Sequence, residues 1–101
     1  MTSMTDVYIN TIRHGKDTVV AVCDADLLGQ TIEGGPCPFI VSERFYGGDL
    51  STISEALQAM GKATIVNMVG IKIVAAAIED RRVHPNAVIY FGEIPHAQII
   101  R

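Results

Sequence analysis

The chain has 101 residues, 49% of them apolar and 19% charged, with a formal net charge of −3. That length and apolar content give one domain with a buried core and exclude a disordered chain. The mild acidity excludes a strong general pull toward nucleic-acid backbones, while a local basic face stays open. Two cysteines, Cys23 and Cys37, are too few for a disulfide scaffold and lack metal-ligand spacing. The apolar run 71–78 contains Lys72 and is far too short to cross a bilayer. The N-terminus has no basic segment followed by an apolar one, so a cytoplasmic protein is expected.

In chain order, residues 1–6 are expected to form a flexible tail, and 7–101 a single domain. Residues 7–12 alternate apolar with polar and are rich in β-branched side chains, which predicts a half-buried strand. A turn around Gly15 returns the chain into 18–23, apolar on both faces and therefore central, giving an antiparallel hairpin. Residues 24–29 read as one helical turn, with Asp24 accepting from its first amides and Gly29 stopping it. Residues 34–38 are a loop, because Pro36 and Pro38 supply no ladder donors. Residues 39–41 resume as a strand that runs to a turn at Gly47-Gly48.

Ile53, Ala56, Leu57 and Met60 fall on one stripe of a helix, with Thr52 and Glu55 spaced as a capping box and Gly61 at its end. Residues 64–69 are expected as a strand. Residues 71–81 form a second helix, with Ile71, Val74, Ala75 and Ile78 on one face and Arg81 and Arg82 at its carboxyl end, where the dipole favours cations. A turn at His84-Pro85-Asn86 precedes strands at 87–91 and 97–100. The order predicts an α+β fold: a mixed or antiparallel sheet that begins with a hairpin, with two main helices packed on it.

The residues with chemical potential are few. Cys23 sits at a strand end before a helical turn, where amides can activate a thiol, but a buried inert cysteine explains it as well. The glycine pairs 34–35 and 47–48 match neither a phosphate-binding loop nor a dinucleotide fingerprint, and no cofactor or metal is expected. Arg44 beside Phe45 and Tyr46 is the one place where a cation adjoins aromatics, a pattern that can stack on RNA. His96, stiffened by Pro95, titrates near neutrality; its plain role is to satisfy a backbone carbonyl.

Four stretches then carry a resemblance: Cys23-Asp24-Ala25-Asp26-Leu27-Leu28-Gly29, Ser42-Glu43-Arg44-Phe45-Tyr46-Gly47-Gly48, Val66-Asn67-Met68-Val69-Gly70 and Ile94-Pro95-His96-Ala97-Gln98. In order and spacing the chain resembles an archaeal family catalogued as domain of unknown function 424. Ile94 stands where that family often has Val. The resemblance implies a small cytoplasmic single-domain protein with no assigned activity and a loose link to translation and RNA. Glycine and leucine positions among its motifs are explained by folding. The polar ones remain: Glu43, Arg44, Tyr46, Asn67, His96 and Gln98 form the candidate binding set, gathered at one sheet face or edge. They either bind a partner or form a buried network that fixes the fold.

Three functions stay open. The first is a non-catalytic module that contacts RNA or ribosome-associated proteins, aided by Lys72, Arg81 and Arg82. The second is a protein-interaction or self-assembling module that uses an exposed edge strand at 7–12 or 97–100. The third is a small enzyme that uses Cys23 or His96. No membrane partner is expected.

Overall fold

A computed structural model describes residues 6–101. Residues 1–5, most of the expected tail, lie outside the described residues, whereas the carbonyl of Asp6 already accepts from the Ala25 amide at 2.9 Å. Strand β1 (Val7–His14) turns through Gly15 and Lys16 into β2 (Asp17–Asp24). Gly15 supplies the positive φ of +61° that this tight reversal requires. The two strands pair antiparallel along their whole length, from Val7 opposite Asp24 to His14 opposite Asp17. A 3-10 turn (Ala25–Leu27), the two-residue strands β3 (Thr31–Ile32) and β4 (Phe39–Ile40) and the short helix α1 (Glu43–Tyr46) follow. Then come β5 (Asp49–Ser51), α2 (Ile53–Met60), β6 (Ile65–Val69) and α3 (Ile71–Glu79). A second 3-10 turn (Pro85–Ala87), β7 (Ile89–Phe91) and β8 (Ile94–Ile100) close the chain.

The main sheet has six strands in the order β5-β1-β2-β6-β8-β7, with β2 and β6 parallel and the other pairs antiparallel. The expected α+β class, mixed sheet, opening hairpin and two main helices are all present. Because strand side chains alternate, each face has its own composition. Val20, Val22, Val66, Met68 and Ala97 point to one face, where α2 and α3 cover them through Ala56, Met60, Ile73, Val74 and Ala77. The capping box at the start of α2 forms as predicted: the Glu55 amide donates to Thr52 Oγ1, and the Glu55 carboxylate accepts from the Thr52 amide.

The opposite face carries Ala21, Cys23 and Val69, covered by Ile32 of β3, by Val41 and by Tyr46 of α1, with Phe39 of β4 and Phe45 of α1 packed against them. Here the sequence reading differs in two ways. Residues 39–41 do not continue as a strand to Gly47; the Ser42 hydroxyl accepts from the amides of Arg44 and Phe45 and starts α1. Beyond it, residues 49–51 pair with β1 as an edge strand rather than leading straight into α2. A β carbon on Gly48 would lie 2.0 Å from the Ile9 carbonyl oxygen, so only glycine lets this crossing come so close.

Asp24 brings a third correction. Its carboxylate does not cap its own turn. It accepts from the amides of Lys72 (2.8 Å) and Ile73 (3.0 Å), which caps α3 from 48 residues away in sequence. Gly70, at φ +130°, makes room: a β carbon there would fall 2.3 Å from Asp24 Cγ.

Candidate functional site

Register, not proximity in sequence, assembles the polar centre. Asn67 lies opposite Gln98 and Val69 opposite His96 across the β6–β8 ladder, so Asn67, His96 and Gln98 share the face covered by α1. Tyr46, buried at 3% exposure, reaches down from α1, and its hydroxyl donates to Asn67 Oδ1 at 2.8 Å. His96 Nε2 lies 2.7 Å from the same oxygen. That oxygen can only accept, so Nε2 carries the proton and Nδ1 keeps the lone pair. Burial pulls the His96 pKa below its ordinary value, so the ring is neutral at pH 7. Phe39 and Phe91 flank it, with ring centroids 5.2 and 6.1 Å away.

The structure thus brings together three of the six candidate residues, Tyr46, Asn67 and His96. Glu43 and Arg44 are exposed on α1, and the Glu43 carboxylate rests against Gly29. Gln98 is exposed beyond the end of β7. The supporting cations separate as well: Arg44 lies on the α1 side of the sheet, while Lys72, Arg81 and Arg82 belong to α3 and its carboxyl end on the other side. The buried phenol of Tyr46 offers no stacking surface to a base.

Catalytic geometry is poor among the described residues. Burial, reinforced by Asp24, pushes the Cys23 thiol up to about 12. Cys23 pairs with Val69, and Val69 pairs with His96, so the backbones of Cys23 and His96 are two strand spacings, roughly 10 Å, apart. No three of the described His, Cys, Asp and Glu side chains converge as a metal site, and no described helix is long and apolar enough to cross a membrane.

What remains open is the edge. β7 pairs with β8 only as far as Ile89 opposite His96. On the other side of β8, the Gly70 amide donates to Pro95 O at 3.0 Å and the Arg101 amide to Thr64 O at 2.9 Å. Antiparallel alternation between these two bonds turns the amides of Ala97 and Ile99 toward β6 and those of Gln98 and Ile100 outward. Outward, they meet no backbone partner among the described residues. A hollow of about 210 Å³ lies there, lined by Ala87, Ile89, His96, Ala97 and Gln98. Side chains from both faces of β8 line it, so it sits against the strand's edge. Among the described residues His96 Nδ1 has no hydrogen-bond partner, and no buried side-chain nitrogen or oxygen is left unpaired, so Nδ1 is not fully enclosed.

This chain belongs to the family described as "Protein of unknown function (DUF424)", whose profile matches residues 12–101. A crystal structure of an uncharacterized conserved protein from Methanopyrus kandleri is similar at a TM-score of 0.78 and 24% identity, covering 92% of this chain and 89% of that one. At that identity the likeness concerns the fold. No curated protein matches this chain.

Proposed function

We propose that this DUF424 protein is a non-catalytic protein-interaction module that binds an extended segment of a partner by strand addition along β8. The supporting observation is the free edge at Gln98 and Ile100. It displays two residues' worth of outward backbone donors and acceptors, beside Ile89 at 59% and Ile100 at 72% exposure. Strand edges without a guard recruit other strands, and residues 97–100 carry neither a charge nor a proline to prevent it. The Tyr46–Asn67–His96 network serves this function indirectly, by fixing the β6–β8 register from underneath.

Selection of a random extended-peptide library against the purified protein tests the reading. Gln98→Pro deletes one outward amide and leaves the β6 ladder intact, since edge strands tolerate proline there. Enriched peptides are expected to lose binding to Gln98→Pro; peptides that bind both proteins equally would refute the proposal.

A second reading, contact with RNA in the translation apparatus, is favoured by cations gathered at the carboxyl end of α2. Arg82 Nη1 lies 3.8 Å from where a β carbon on Gly61 would be, next to Lys62, and Arg101 Nη1 donates to Met60 O (2.9 Å) and Ala63 O (2.6 Å). It ranks second because these groups already neutralise helix carbonyls and Asp80, the latter 2.7 Å from Arg82. Co-sedimentation with ribosomal subunits at low salt, lost at high salt and in Lys62→Ala/Arg101→Ala, would reverse that ranking.

A further inference from the structure

The two helices leave part of the sheet bare. α2 packs on β1 and β2, and α3 on β2, β6 and β8, so the helical layer reaches β8 and stops one strand short of the sheet's edge, β7. Tyr90 on β7, opposite Pro95, therefore stays 58% exposed on the helix side of the sheet. Along α3, Ile71 (57% exposed), Ala75 and Ile78 form a ridge at i, i+4 and i+7 that faces this gap. Between ridge and strand lies a groove of about 240 Å³, and a second hollow, of about 320 Å³ and beyond the carboxyl end of α3, shares Ile78 with it. The first is lined by Ile71, Val74, Ala75, Tyr90 and Pro95, with Glu93 at its end. The second is bounded by Arg81, Arg82 and His84. From Ile71 to Glu79 the ridge is about 12 Å long, just over two turns of a helix.

We propose that this groove seats an amphipathic helix of a partner protein, as a third member of the helical layer. Its apolar stripe would pack on Ile71, Ala75, Ile78 and Tyr90, with acidic residues in its first turn set against Arg81. The occupant's chemistry follows from the charges at the two ends. Asp80 pairs with Arg82 at 2.7 Å, whereas Arg81 has no carboxylate partner among the described residues. Glu93 is exposed at the other end. A helix that runs antiparallel to α3 brings acids at its start to Arg81 and bases at its finish to Glu93, the arrangement its own dipole favours. The small side chain of Ala75 at mid-ridge lets such a helix approach to ordinary packing distance. Arg81 itself is held at φ +60°, in a helix-ending position that glycine fills at lower cost, and it is the described non-glycine residue with positive φ. Arginine at this position costs stability that glycine would not. This surface is separate from the β8 edge.

The test uses the full chain and two synthetic 14-residue helical peptides with the same leucine stripe. One carries Glu in its first turn and Lys in its last; the other has these charges exchanged. Fluorescence anisotropy is expected to give at least tenfold tighter binding of the first peptide. Ala75→Glu abolishes it, Arg81→Glu removes or inverts the preference, and Gln98→Pro leaves it unchanged. Ala75 and Arg81 are both exposed, so unaltered circular dichroism checks that the variants fold. Equal affinity for both peptides, or no binding of either, overturns the proposal. It is overturned as well if a twelve-nucleotide oligouridine binds through Arg81 while the peptides do not. A homodimer dissociated by Ala75→Glu would assign the groove to a second copy instead. The Gln98→Pro result reports on the β8 edge alone, so either surface can fail without the other.

Discussion

The two faces of the sheet are held by different physics. On the helix side, Val22, Val66 and Met68 are wholly buried against Ala56, Met60 and Ile73, and the contacts are apolar and non-directional. On the other side, thin cover from α1, β3 and β4 is fastened by directed bonds: Tyr46 and His96 to Asn67, and Asn10 Nδ2 to Phe45 O at 2.8 Å. The first face tolerates changes that conserve volume. The second depends on particular atoms, because an unmatched donor under that cover keeps its full desolvation cost.

The largest effect is expected where backbone and polar group are locked together. Gly70→Ala forces a side chain into the Asp24 carboxylate at a φ that disfavours it, and is expected to cost about 3 kcal/mol or more in urea unfolding. Asp24→Ala alone leaves the Lys72 and Ile73 amides without their acceptor, for roughly 1–3 kcal/mol. The double variant should cost less than the sum, since removing Asp24 relieves the clash; simple additivity would show that the two do not meet.

A paired substitution sharpens the contrast between the faces. Met68→Ala is expected to cost about 2–5 kcal/mol and Met68→Leu under about 1.5, as cavity and volume arguments require. Asn67→Ala is expected to cost about 1–3 kcal/mol, and Asn67→Leu not to recover it, because Tyr46 and His96 would still lack an acceptor. Recovery by leucine at Asn67 would erase the distinction.

A smaller effect is pH-dependent. The folded pKa of His96 lies below its unfolded value near 6.5, so the unfolded chain takes up the proton first. Its contribution is intact above pH ~6.5 and is lost as pH falls from there toward the folded pKa. His96→Gln should flatten that part of the curve. Asp24 runs the opposite way: burial raises its pKa, so it disfavours folding as pH rises past about 4, and the comparison must be between His96→Gln and wild type at each pH. The smallest change expected is a gain: Arg81→Gly should stabilise by about 0.5–1 kcal/mol in thermal melts, by relieving the positive φ.

How much was legible follows the same division. The α2 stripe, its capping box, the opening hairpin and the central place of β2 are local periodicities and spacings, and the sequence displays them directly. The motif residues of the second face were visible as out-of-place polar groups, yet their partners were not. Tyr46 meets Asn67 across 21 residues, and Asp24 meets α3 across 48, only because β2 and β6 lie parallel. Asp24 read as a local cap, since an aspartate before a helical turn looks the same in sequence whichever helix it serves. Short α1 and β5 carry too few residues to show a period. The free edge of β8 depends on where β7 stops, which no local pattern encodes.

Residue-resolved amide hydrogen exchange of the purified protein tests the central claim most directly. Along β8, Ala97 and Ile99 are expected to exchange slowly and Gln98 and Ile100 fast, an alternation that only an unoccupied edge produces. Uniform protection from residue 97 to residue 100 would mean that the edge is already covered, and would contradict its role as the binding surface.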